Sequence, residues 1–353
     1  MDKNKSCRRT QVGGQAVIEG VMMKNGTKVA LAVRKDDGTI EIKNSEFHPK
    51  KEKHKWLGWP LIRGIVGFVE SLMLSFRTLS DSTDMLGLED ENEKKDGKSS
   101  TSGLMVISLI LGLLLAVGLF IFLPSFLSGL LMDNVFHLTE AEHGWKYQLA
   151  ISGLEGAVKI IIFIGYLLFV SLMKDIRRTF QYHGAEHKSI ACYENGMELT
   201  PENARKCKRF HPRCGTSFMF VMVLLSIVIG IFIPTFGGQE WLRSLVKLAT
   251  LPLVMGLGYE FIMFAGKHQN WFTKMLSAPG LWMQRITTKE PDDYQLAVAI
   301  CAIKASMPEE FPDFSPEEYF ITREQNKGHI AYEEPKKEKG KSKEKETENT
   351  SEE

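Results

Sequence analysis

Leu104 to Leu123 is an apolar run without a single charge, long enough to cross the roughly 30 Å hydrocarbon core of a bilayer. Phe218 to Phe236 is a second such run. Leu149 to Met173 and Leu245 to Ala265 are as long, but each carries ionisable residues. Between the runs lie highly charged segments. This alternation marks an integral membrane protein with soluble parts, and it predicts four spanning helices. The first lies too far from the N-terminus to be a cleaved signal peptide.

Lysine and arginine predict the sidedness. They are frequent before Leu104, dense from Lys174 to Arg213 and frequent again after His268, whereas Asp133 to Gln148 holds only Lys146. By the positive-inside rule both termini and the Lys174–Arg213 segment are cytoplasmic. Thiols are kept reduced there, so the five cysteines do not read as a disulfide framework. The formal net charge of +1 gives no sign of specific nucleic-acid recognition.

The expected fold class is mainly α: a polytopic membrane protein with about four transmembrane helices. To these it adds an N-terminal β-hairpin-containing segment and a cytoplasmic His/Cys-rich insert. The segments run 1–55 (N-terminal, cytoplasmic, β-containing), 56–80 (amphipathic or interfacial helix), 81–103 (linker) and 104–173 (first two spans). They continue 174–216 (His/Cys-rich), 217–266 (last two spans), 267–332 (cytoplasmic) and 333–353 (disordered tail of Lys, Glu, Ser and Thr). Lys28 to Val33 alternates, as do Ile40 and Ile42, and Asp37-Gly38 between them signals a hairpin. Upstream, GGQAVIEGVMM (13–23) suits tight turns and close backbone approach. Glu19 within it is an exposed turn carboxylate or a site group. In 56–79, Arg63, Glu70 and Arg77 form one polar stripe on an apolar helix. The segment reads as lying in the membrane interface with Trp56 and Trp59 at headgroup level, or as docking on the spans with the stripe hidden. Pro291 and the acids after it mark the start of a soluble helix in 281–304.

The region from Gln181 to Phe218 gathers His183, His187 and His211 with Cys192, Cys207 and Cys214, three of the nine histidines and three of the five cysteines. HGAEH places His183 and His187 one helical turn apart with Glu186 beside them, the H-x-x-E-H pattern of metal sites in which the glutamate is a base. Cys207, His211 and Cys214 are spaced C-x3-H-x2-C, and imidazole with thiolate suits zinc above other divalent ions. A structural knuckle of Cys192, Cys207, His211 and Cys214 is an alternative, and so are solvated histidines with buried cysteines and no metal. Arg205, Lys206, Lys208, Arg209 and Arg213 form a basic patch. It serves topology, attracts anionic headgroups, or contacts ribosomal phosphates. In the spans, Glu155 and Lys159 are placed to pair at i and i+4. Glu260, without a local base, is expected to point inward, toward Arg63, Arg77 or a polar pocket.

GGQAVIEGVMM, YHGAEHK, CYE, HPRCGTSF, GYE and PGLWMQRITTKEPDD occur in this order from about Cys7 to Pro312. Together they resemble the YqhQ family of bacterial membrane proteins, a domain of unknown function whose members are described as predicted metal-dependent enzymes. The resemblance implies the bacterial inner membrane and supports a metal at His183, Glu186 and His187, without supplying a reaction. Two functions are expected. One is a membrane-embedded metal-dependent hydrolase at the cytoplasmic face, in which His183 and His187 hold the metal and Glu186 is the base. His211, Cys207 or Cys214 completes the coordination, and Arg209 and Arg213 hold an anionic substrate or lipid headgroup. The other is a non-catalytic scaffold or accessory subunit of the translocation or insertion machinery, with the His/Cys segment docking a partner or the ribosome.

Overall fold

A computed structural model describes residues 12–87, 100–137, 144–211, 213–236, 239–267 and 271–319. Most of the linker and all of the tail expected from sequence fall outside them. The chain is mainly helical, with one four-stranded antiparallel sheet in the order β1-β2-β3-β4. The strands are β1 (Gly13–Val17), β2 (Gly20–Asn25), β3 (Lys28–Arg34) and β4 (Ile40–Glu46). The β3–β4 hairpin follows the alternation and turn in the sequence. The glycine-studded run does more than turn, since it supplies β1 and β2 with a two-residue connection at Ile18 and Glu19.

The sheet is buried on both faces because its middle strands are apolar in both phases of the alternation. Val17, Met22, Val29, Leu31 and Val33 pack on Leu74, Met85 and Leu86 at the end of α1 (Ile62–Met85). Val21, Met23 and Ala32 face α5 (Lys174–Glu194) and α10 (Asp293–Ser306). The small side chains of Ala30 and Ala32 let α10 approach closely. That helix is buried almost throughout, from Asp293 to Ile303. It starts one residue after Asp292, whose side chain accepts from the Gln295 amide while Gln295 returns the bond to the Asp292 amide, a reciprocal cap.

Among the described residues, three helical stretches are long and apolar enough to span a membrane: Ile107–Phe136, α4 (Trp145–Ser171) and Glu240–Phe261 within α8 (Glu240–Lys267). The first is continuous but composite: α2 (Ser100–Val117), a π turn (Gly118–Phe122), α3 (Leu123–Leu131) and a second π turn (Met132–Phe136). Pro124 has no N–H for the ladder, which accounts for the widened turn before it. The fourth expected span is shorter than the sequence suggested. α7 (Gly215–Ile231) stops before Pro234, and its 17 residues reach about 25 Å at 1.5 Å per residue.

The HGAEH helix is separate from the second span: Met173 is extended and α5 begins anew at Lys174. One expectation changes. Glu155 does not take Lys159 as its main partner; it pairs with Lys247 of α8, and the Lys159 ammonium reaches Ser226 at 3.4 Å. Glu260 meets Arg63, whose Nε donates at 2.7 Å and Nη2 at 2.5 Å. That pair and the close approach of Gly64 to Gly256 dock the first turns of α1 on α8. The opposite face of α1 leaves Val69, Leu72, Met73 and Phe76 exposed.

Candidate metal centre

α5 carries His183, Glu186 and His187 as the sequence predicts, and the two imidazole rings lie 4.5 Å apart between centroids. Each ring is oriented by a backbone carbonyl. His183 Nδ1 lies 2.8 Å from the oxygen of Thr287, the last residue of α9 (Trp271–Thr287), and His187 Nδ1 lies 2.5 Å from the Arg209 oxygen. A carbonyl accepts only, so both rings carry their proton on Nδ1 and leave Nε2 as a lone-pair donor. Cys214, at the N-cap of α7, brings its Sγ to 3.2 Å from His183 Nε2. Ligand atoms of His183, His187 and Cys214 all lie within 4.8 Å of one another, and this is the group of metal-competent donors found among the described residues.

His187 is almost wholly buried, and burial holds its imidazole below the ordinary value against an opposing hydrogen bond to Cys214. The neutral form is the one that binds metal. Burial likewise raises the Glu186 carboxyl, opposed by the nearby His183 and His211 and by the Gly14 amide. Glu186 therefore lies between strand β1 and the imidazoles. Gly14 is needed there, since a Cβ would sit 2.9 Å from Glu186 Cγ and 2.7 Å from the Met22 carbonyl.

The remaining expected ligands part ways. Cys207 does not join the cluster. It follows the short α6 (Pro201–Arg205) and packs in the core with Cys192, where burial raises both thiols, Cys192 to about 12. The knuckle of Cys192, Cys207, His211 and Cys214 is thus not assembled. His211 is near, 5.8 Å from the His187 ring, but its Nε2 turns to Glu194 at 3.4 Å. Burial opposes ionisation of Glu194, yet hydrogen bonds from His211 and Arg213 hold it at about 2. The His211 backbone is clamped from both sides by Gln284 of α9, with two bonds of 2.8 Å.

Three of the five residues of the basic patch are ion-paired: Arg205 with Asp293, Arg209 with Glu290, which Lys188 shares, and Arg213 with Glu194. Glu19, in a left-handed conformation (φ 50°), accepts from Nε and Nη2 of Arg178 and from the Tyr182 hydroxyl at 3.1 Å, which ties the β1–β2 turn to α5. Thr287, the Arg209 carbonyl and Gln284 are the functional groups that sequence reasoning missed. Only the GLWMQRITTKEPDD motif hinted at two of them.

Residues 59–309 match the model of a family described as "Protein of unknown function (DUF1385)". The chain is 36% identical over 298 residues to the "Uncharacterized protein YqhQ" of Bacillus subtilis (strain 168), covering 82% of this chain and 89% of that protein. No solved structure matches.

Proposed function

The chain belongs to the YqhQ family of proteins of unknown function, and from that premise we propose that it is a membrane-embedded, metal-dependent hydrolase. It would work at the cytoplasmic face of the bacterial inner membrane. The carrying observation is the pair of imidazoles with Nδ1 tied to carbonyls, presenting Nε2 to a point shared with the Cys214 thiol. Two nitrogens and one sulfur fit zinc, and three protein donors leave one tetrahedral position for a substrate, as in catalytic rather than structural sites. When bound, zinc supplies Lewis-acid chemistry for hydrolysis. Glu186, kept protonated more readily by burial, would hold and return the proton.

The fourth crossing belongs to this reading. α7 begins at the Cys214 end, and its last carbonyls meet the first turns of α4, where Gln148 Nε2 reaches the Ile231 oxygen at 3.1 Å. Since α4 leads directly into α5, α7 runs back across the same thickness. With the charge asymmetry this supports four spans, both termini and the metal centre on the cytoplasmic side.

Purified protein should carry about one zinc per chain. His183→Ala, His187→Ala and Cys214→Ala should each lose it, while Cys207→Ala keeps it. Glu186→Gln should keep metal and abundance yet fail to rescue a strain lacking the gene. Full rescue by Glu186→Gln would replace catalysis with the scaffold reading, in which the module serves the translocation or insertion machinery. Full metal retention in the three ligand variants would remove the site itself.

A further inference from the structure

The two faces of α9 differ in character. On one face Gly280, Met283, Gln284 and Thr287 are buried. Gln284 clamps the His211 backbone and the Thr287 carbonyl orients His183. Met283 and Ile286 pack with Phe163 and Leu167 of α4 and with Phe220 and Leu224 of α7. On the other face Trp271, Met275, Ala278 and Trp282 follow one another at spacings of four, three and four residues, which places them in one stripe. All four are exposed, Trp271 at 76% and Trp282 at 56%. Arg285, also exposed, lies one turn beyond Trp282.

The level of the packed face decides what meets the stripe. Leu167 lies about 6 Å and Phe163 about 12 Å from the end of α4 at Ser171. α4 is about 40 Å long, so when centred it overshoots a hydrocarbon core of about 30 Å by about 5 Å at each end. Met283 therefore meets α4 at the boundary between hydrocarbon and headgroups, and Trp282, next to it, faces away at the same depth. Leu168 and Phe169 of α4 and Met219 of α7 are exposed apolar residues at that level, so the stripe continues the lipid-facing surface of the spans. Indole suits this layer, since its ring is apolar and its N–H reaches water or headgroup oxygens. A guanidinium beside it suits lipid phosphates.

We propose that Trp271, Met275 and Trp282 seat α9 in the interfacial layer of the cytoplasmic leaflet, so that the partner of this face is lipid. The same helix aims the Thr287 carbonyl at His183, which holds the metal centre at the membrane surface rather than above it in the cytoplasm. This placement rests on α4 and α7 crossing the bilayer and on no reaction at the metal centre.

Tryptophan fluorescence of the full chain in nanodiscs tests it. Trp56→Phe, Trp59→Phe, Trp145→Phe and Trp241→Phe, all at exposed positions, leave Trp271 and Trp282 as the only reporters. The nanodiscs combine phosphatidylcholine and phosphatidylglycerol, brominated either near the headgroup end or near the methyl end of the acyl chains, and iodide is added from the water. Shallow bromines should quench several-fold more than deep ones, and iodide should quench little. Strong iodide quenching would show that water covers the stripe. Quenching by neither would show that protein, such as a second copy of the chain, covers it. Stronger quenching by deep bromines would put α9 inside the hydrocarbon. Each of these outcomes overturns the interfacial placement. A second chain, with all six tryptophans replaced by phenylalanine and Leu114→Trp in the first span, checks the premise. Deep bromines should quench it. Iodide quenching there would overturn the spans and the placement of α9 with them, whereas iodide quenching confined to Trp271 and Trp282 would overturn the placement alone.

Discussion

The histidine cluster of the sheet-containing module, whose ion pairs lie around it, and the spanning bundle meet their buried polar groups in different ways. In the module, side chains meet backbone: His183 and His187 take carbonyls, Gln284 clamps the His211 peptide, and Asp292 caps α10. In the bundle, charge meets charge across helices, as in Glu155 with Lys247 and Arg63 with Glu260. Backbone partners fix geometry whatever the protonation state, which is what a set of metal donors needs. Charged partners are strong in a medium without water, but each is indispensable to the other. The bundle should therefore fail when one charge is removed, whereas the module should lose alignment before it loses its fold.

Glu155→Ala is the hardest blow to this contrast. It leaves Lys247 and Arg243 buried without their acid, at a cost of about 3–5 kcal/mol. The variant should fall sharply in membrane abundance, read by quantitative immunoblot. Adding Lys247→Met should recover part of the loss, because an apolar replacement removes the stranded charge. Normal abundance of Glu155→Ala would mean that the bundle does not depend on paired charge.

Gly184→Ala probes the module. A Cβ at Gly184 would lie 2.0 Å from the Lys289 carbonyl, so the 288–291 loop has to move away from α5. That loop follows Thr287, whose carbonyl orients His183. Forcing the two apart costs about 1–3 kcal/mol. Zinc content should drop well before abundance does. Loss of both in parallel would mean that the module unfolds as a unit, and the distinction between alignment and fold would go.

These contrasts were partly legible in the sequence. HGAEH has helical spacing, and spacing alone puts His183 and His187 on one face. The Asp37-Gly38 turn and the acids after Pro291 are local signals, and both elements form where expected. The need of a buried acid for a base narrows Glu260 to Arg63, Arg77 or a polar pocket, and the packing of α1 on α8 selects Arg63. Choices among several distant partners were not legible. Cys214, not Cys207, became the third donor because the loop after α5 folds Cys207 back onto Cys192. Glu155 took Lys247 over its own helix's Lys159, since Lys247 reaches Glu155 and Ser125 together while Lys159 turns to Ser226. The basic patch looked free because its acids, Glu290 and Asp293, lie some 80 residues downstream. Backbone carbonyls have no letter in the sequence, so the two that aim the imidazoles left no trace there.

The smallest expected effect comes from Asp292→Ala, which removes one half of the reciprocal cap at the start of α10. Loss of such a cap costs about 1 kcal/mol. α10 is the most buried helix of the module, packed on Val21, Met23 and Ala32 of the sheet and on Tyr182 and Ala185 of α5. Those apolar contacts remain, so the helix stays in place and only its first turn loosens. That turn adjoins Lys289, whose amide donates to the Phe180 carbonyl at 2.8 Å and so links the loop to α5. The unfolding midpoint should fall by a few degrees, about what 1 kcal/mol implies for a domain of this size, while zinc content stays unchanged. A loss of zinc as large as that of Gly184→Ala would show that the cap, rather than the close approach at Gly184, sets the distance between the loop and His183.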